Sequence, residues 1–164
     1  MSGRPVIHDT FSIQRHYLAI PSRVFAAFAS AEARDSWGDP DAVGTQAVHT
    51  TQHEMDFRVG GQERFAFKWQ GNDTIYRYDA HYYDIVLDQR IIYAYEMYAN
   101  DARISVSVAT IEFAKDGDGT TLVWTEQGTY LDGIDGAAAP RLREQGTAEM
   151  LDELTGYLKN PAAH

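Results

Sequence analysis

The chain predicts an α+β fold: a strongly curved antiparallel sheet of about six or seven strands around a long C-terminal helix, with two short helices after the first strand. Three observations predict it. Met55 to Trp69 holds two alternating runs about Gly60-Gly61, with Met55, Phe57 and Val59 answering Phe65, Phe67 and Trp69. Further alternating runs follow, separated by Asn, Asp and Gly turn residues. From Pro140 onward the apolar spacing changes to a helical one.

In order, Thr10 to Ala19 reads as the first strand, with Phe11, Ile13 and Tyr17 on one face. Pro21 opens a helix, where its missing donor costs nothing, and Val24, Phe25 and Phe28 form its stripe. A second short helix, Ala31 to Trp37, is expected to stop at Gly38 and Pro40. The polar stretch Gly44 to His53 leads into the Met55 hairpin, whose glycines supply positive φ. Gly71-Asn72-Asp73 turns into a tyrosine-rich strand, Thr74 to Leu87, with Tyr76, Tyr78 and Tyr82 as the inward row. Asp88-Gln89 leads to Arg90 to Ala99, with Ile91, Tyr93, Tyr95 and Met97 inward. After Asn100-Asp101, Arg103 to Ala114 has ambiguous parity, because Val106 and Val108 oppose Ile111 and Phe113. A bulge would reconcile them, and the inward face stays unassigned. Thr120 to Tyr130 closes a hairpin, with Leu122, Trp124 and Glu126 on one face. In the last helix Leu142, Thr147, Met150, Leu151, Leu154 and Leu158 form the packing face. Gly146 lies inside it, at a propensity cost of ~1 kcal/mol. Either something approaches the helix backbone there, or the first turn is irregular.

At 164 residues the chain suits one domain, with an ordered core over about 10–159, and such a chain buries about 70% of the surface its unfolded form exposes. It has no cysteine, which excludes disulfides, thiolate metal sites and cysteine nucleophiles. No secretory h-region and no membrane-length apolar run occurs, so the expected location is cytoplasmic, with no membrane partner. A formal charge of −10 repels phosphate backbones, which argues against nucleic acid. GxSxG, P-loop and dinucleotide patterns are absent, and no cofactor is expected.

Several stretches resemble, in order, the homologues of the activators of the ninety-kilodalton heat-shock chaperone ATPase, specifically their C-terminal domain, within the START-like (SRPBCC) helix-grip superfamily. They are Ile20-Pro21-Ser22-Arg23-Val24-Phe25, Ser36-Trp37-Gly38-Asp39-Pro40, Asp56-Phe57-Arg58-Val59-Gly60-Gly61, Asp118-Gly119-Thr120-Thr121-Leu122, and Gly146-Thr147 followed by Leu151, Leu154, Tyr157 and Leu158. Val59, Ser36 and Thr147 depart from the family pattern. The resemblance implies a cavity between sheet and C-terminal helix for a hydrophobic small molecule.

The residues agree with a cavity. Tyr and Trp carry polar tips that suit a partly wet pocket better than a solid core. The candidate ligand-binding set is Trp37, Phe57, Phe67, Trp69, Tyr76, Tyr78, Tyr82, Tyr93, Tyr95, Met97, Trp124 and Glu126, and each alone also reads as ordinary core. Glu126 is the candidate acid or base, since desolvation would raise its pKa. His81 is the weaker candidate, pairing with Asp84 only if the strand is bulged. His49 and His53 have no third ligand and Asp116 to Thr121 lacks the glycine and glutamate of a calcium loop, so no metal is expected. Binding of an apolar or aromatic molecule is the first reading; a polyketide cyclase-like enzyme and a chaperone ATPase co-regulator are the alternatives. Chaperone binding is the weakest of these, because no second, docking domain is present. An exposed sheet edge offers a surface for a homodimer.

Overall fold

The computed structural model describes residues 3–37, 48–69 and 71–159. Seven strands form one antiparallel sheet: β1 (Val6–Tyr17), β2 (Val48–Met55), β3 (Gln62–Trp69), β4 (Tyr76–Val86), β5 (Arg90–Ala99), β6 (Ala102–Asp116) and β7 (Gly119–Leu131). Their order is β1-β7-β6-β5-β4-β3-β2, a meander with β1 returned to the far edge beside β7. Helices α1 (Pro21–Ala26) and α2 (Ala31–Asp35) follow β1, and α3 (Ala139–Lys159) ends the fold. The expected stop of the second helix at Gly38 and Pro40, and the Gly44 end of the next segment, lie outside the described residues.

Local chemistry sets these boundaries. Pro21 lies in the first turn of α1, where its lack of an N–H is harmless. The Ser30 side chain caps α2 by accepting from the Ala33 N–H. The β4–β5 and β5–β6 turns place Asp88 and Asn100 at φ 63° and 52°, a conformation short polar side chains tolerate.

The central hairpin differs from its expected form. β2 ends at Met55, and residues 56–61 make a longer connection in which Gly60 N–H donates to Tyr82 O and Gly61 O accepts from Tyr82 N–H. Val59 is exposed, not inward. Only Gly60 needs positive φ, at 85°. Gly61 is required by close approach, since a Cβ there would lie 2.0 Å from the Asp56 carbonyl oxygen.

The register resolves the ambiguous strand. In β6 an irregularity opposite Met97/Tyr98 inserts Ile104, after which Ser105, Ser107, Ala109, Ile111 and Phe113 face inward. Val106 and Val108 therefore point outward, at 39% and 38% exposure. No bulge separates them from Ile111; two serines and an alanine occupy the inward row, and small residues there carry little apolar signal.

The core lies on the inner face. Phe11, Ile13, Val24, Phe25, Phe28, Ile91, Ile111, Leu122, Trp124, Leu151 and Leu154 are all buried in one cluster. Helix α3 packs mainly on β1 and also on β7, while α1 lies on β6 and β7. The packing face of α3 is shifted from the expected one: Leu142 is 56% exposed, and Arg143 takes the inward place one residue on. Gly146 is exposed, inside the helix, and a Cβ added to it would meet nothing within 4 Å. Neither expected reason for glycine holds. Gly146→Ala is therefore expected to raise stability by about 0.4–1 kcal/mol, read as a higher urea midpoint with unchanged slope.

Candidate functional site

Two carboxylates are buried on the inner face, and each organises a set of side chains. Glu126 projects from β7 one alternation beyond Trp124 and is 1% exposed. Its Oε2 accepts from the Tyr95 hydroxyl at 2.7 Å and its Oε1 from Trp124 Nε1 at 3.2 Å. Arg143 reaches down from α3, donating to the Tyr95 hydroxyl at 2.7 Å and Ser105 Oγ at 2.8 Å, with Glu126 3.7 Å away. Burial lifts the Glu126 carboxyl above its ordinary value, and Arg143, Tyr95 and Trp124 offset part of that rise. Both oxygens are engaged, so the carboxylate holds Arg143 and Tyr95 in place.

The second centre joins three elements. His53 on β2 places Nδ1 2.7 Å from Asp35 Oδ1 of α2 and Nε2 2.6 Å from Glu63 Oε2 of β3. Two carboxylates on opposite ring nitrogens require both nitrogens to donate, which makes His53 an imidazolium. Burial opposes that charge, but the hydrogen bonds to Glu63 and Asp35 prevail and its pKa is raised. Glu63 also accepts from the Tyr82 hydroxyl at 3.1 Å. Burial pushes its carboxyl up, yet the His53 hydrogen bond and the nearby Arg34 charge bring it below its ordinary value.

An aromatic lattice connects the centres. Tyr82 contacts Tyr93 at 5.9 Å between ring centroids, Tyr93 contacts Tyr95 at 5.7 Å and Trp124 at 6.1 Å, and Tyr78 meets Tyr95 at 5.8 Å. Towards β3 the row continues through Phe65, Phe67 and Trp69, with Phe67 stacked on Tyr76 at 5.7 Å. Phe57 lies in the 56–61 connection, edge-on to Phe25 and Tyr82. Trp37 packs edge-on to Phe28 and donates its Nε1 to the Ala27 carbonyl at 3.0 Å. Met97 is half-buried against the core.

Twelve candidate ligand-lining residues thus lie on or beside one face. His81 does not join them. It is exposed on the outer face, paired in register with Ala94. The bulge that a His81–Asp84 pair would need does occur, with Tyr83 as the extra residue, but Asp84 accepts from Arg90 at 2.6 Å instead. The outer face also carries a depression of about 540 Å³ beside Val106, Val108, Thr10 and Gln127, open to solvent and containing none of the candidates.

Sequence reasoning missed Arg34, Glu63 and Arg143, and dismissed His53. Glu63 shares the parity of Phe65 and Phe67, the one signal by which the sequence could have placed it inward. Arg143 falls on the helical spacing of Thr147, Leu151 and Leu154. Among the described residues no group of three His, Asp or Glu side chains is placed to hold a metal ion; Asp35, His53 and Glu63 meet, but both His53 nitrogens are engaged by the two carboxylates. No helix among the described residues is long and apolar enough to cross a membrane.

The family model described as Activator of Hsp90 ATPase homolog 1-like protein matches residues 19–159 of the chain. An uncharacterized protein of Rhizobium leguminosarum has a solved structure 39% identical, with TM-score 0.80, covering 94% of this chain and 96% of that one. A protein of Rhizobium loti is 40% identical, with TM-score 0.78 and coverage of 92% and 97%. A Chromobacterium violaceum protein at 24% identity and TM-score 0.72, with coverage of 92% and 97%, shares the fold. No curated protein matches.

Proposed function

The chain belongs to the family of Activator of Hsp90 ATPase homolog 1-like proteins, and on that premise we propose that it binds a small hydrophobic or aromatic molecule on the inner face, between the sheet and α3. The observation that carries this reading is a gradient of burial across that face. On β7 and β6 the inward residues Leu122, Trp124, Ala109 and Ile111 are sealed by α1, α3 and one another. On β3 to β5, Phe65, Phe67, Trp69, Tyr76, Tyr78 and Met97 are only half-buried, although they point the same way. Among the described residues no side chain completes their burial. A contiguous half-open aromatic surface that includes Tyr76 and Tyr78 suits an apolar ligand carrying a few polar atoms.

The family's fold supports ligand binding and leaves the ligand's identity to experiment. Native mass spectrometry of freshly purified protein beside a denatured control is expected to show a consistent extra small-molecule mass. Titration with an aromatic probe such as naphthylacetamide should saturate, and Phe67→Ala should weaken it roughly tenfold with little change in melting temperature. A clean apo mass together with no probe binding would overturn the reading.

A further inference from the structure

Two arginines reach the inner face, and their partners differ. Arg143 is matched by Tyr95, Ser105 and Glu126. Arg34, half-buried at the end of α2, is not matched. Among the described residues its single hydrogen bond is from Nη2 to the Met150 sulfur at 3.8 Å, and a thioether is a weak acceptor. Its guanidinium lies over the Trp37 ring at 4.8 Å and the Phe28 ring at 5.8 Å. Aromatic faces hold the cation in place without engaging its in-plane donors.

Its surroundings are those of the proposed pocket. The next residue, Asp35, holds His53 at 2.7 Å, and the His53 ring packs edge-on to Phe65 at 4.8 Å; Phe28, under the guanidinium, meets Trp124 at 6.5 Å, which meets Tyr93 at 6.1 Å. Glu63 is near enough for the Arg34 charge to help lower its carboxyl, but among the described residues no hydrogen bond or ion pair joins the two, and its oxygens accept from His53 and Tyr82. Asp35, His53, Glu63 and Arg34 sum to zero charge when all are ionised. The guanidinium fork is thus charged, pre-positioned and free of an oxygen acceptor among the described residues, and a planar carboxylate fits that fork.

We propose that Arg34 receives the carboxylate of an apolar or aromatic carboxylic acid whose body lies against Tyr78 and the ring row continuing to Phe65 and Phe67. This rests on the binding role proposed above and specifies its ligand class. Trp37 and Phe28 act as positioning residues that hold the guanidinium through its face and leave its N–H edge to the carboxylate.

Isothermal titration of the full chain with naphthylacetate and its neutral isostere naphthylacetamide tests it. The wild type is expected to bind the acid at least about tenfold more tightly than the amide, as a charge-assisted pair provides. Arg34→Gln should abolish that preference, with the acid losing at least about tenfold more affinity than the amide, and Arg34→Lys should retain part of it. Equal affinity for both probes, or a preference that survives Arg34→Gln, would overturn the assignment to Arg34 and leave the cavity reading intact. Absence of binding by either probe would overturn both. If Arg34→Gln fails to fold, judged by its thermal transition, the wild-type preference and the Arg34→Lys response decide the matter.

Discussion

Glu126→Ala is expected to destabilise the protein by about 3–5 kcal/mol, because it leaves Arg143 as a charge in a largely closed site without its counter-ion. For a chain of this size that is a fall of on the order of 10 °C in melting temperature. The loss has identifiable parts. Tyr95 and Trp124 lose their acceptor, and a cavity opens at a position only 1% exposed. Glu126→Gln preserves the volume and an acceptor oxygen, so it should cost less than alanine. Burial already disfavours the Glu126 charge, which narrows the gap between glutamate and glutamine further. Replacing both members, as Glu126→Leu with Arg143→Met, should recover much of what Glu126→Ala loses. Chemical denaturation of the four proteins measures this. A Glu126→Ala cost below about 1 kcal/mol would contradict a buried ion pair at this site.

The second large effect depends on pH. The folded pKa of His53 lies above its ordinary 6.5, so the folded state holds this proton more tightly than the unfolded one. Its contribution to stability is complete below about pH 6.5 and is lost as pH rises through the raised folded value. Glu63 behaves oppositely. Its folded pKa lies below its ordinary 4.5, so its contribution is present above that value and is lost as pH falls through the depressed one. The pair therefore stabilises best between the two, in mildly acidic solution. His53→Ala strands Glu63, whose side chain is 2% exposed, and is expected to cost about 3 kcal/mol or more inside that window. Above the folded His53 pKa the gap between the variant and the wild type should narrow by the part that the proton contributes. Urea midpoints across the pH range test this, and a difference independent of pH would refute an ionised His53.

The fold was legible because alternation and turn chemistry are local. Asp88, Asn100 and the Gly-containing hairpins announce themselves within a few residues, and the Tyr76–Tyr78–Tyr82 and Tyr93–Tyr95 rows keep strict parity. The sites were less legible for a physical reason. Charged residues on an inner face look like surface residues until their partners are known, and those partners come from separate elements. Asp35, His53 and Glu63 come from α2, β2 and β3; Glu126 and Arg143 come from β7 and α3. Glu126 was visible only because Trp124 fixed its parity. Arg143 was hidden by Leu142, an apolar neighbour that turned outward. The 56–61 connection was misjudged because Phe57 does face inward, held by Phe25 and Tyr82 rather than by a strand ladder.

The return of β1 to the far edge bears on how the molecule is assembled. Strands β2 to β6 each pair with the next in sequence, so β2 to β7 can zip together as the chain lengthens. β1 pairs along its whole length with β7, from Val6 opposite Leu131 to Tyr17 opposite Thr120. The first strand of the sheet to be synthesised is therefore among the last to find its place, and it must wait, unpaired, until more than a hundred residues have followed. Closure over so long a loop is slow, and during that wait the Phe11, Ile13 and Tyr17 row remains open to unwanted pairing. On the ribosome, the vulnerable element of this fold is the one made first.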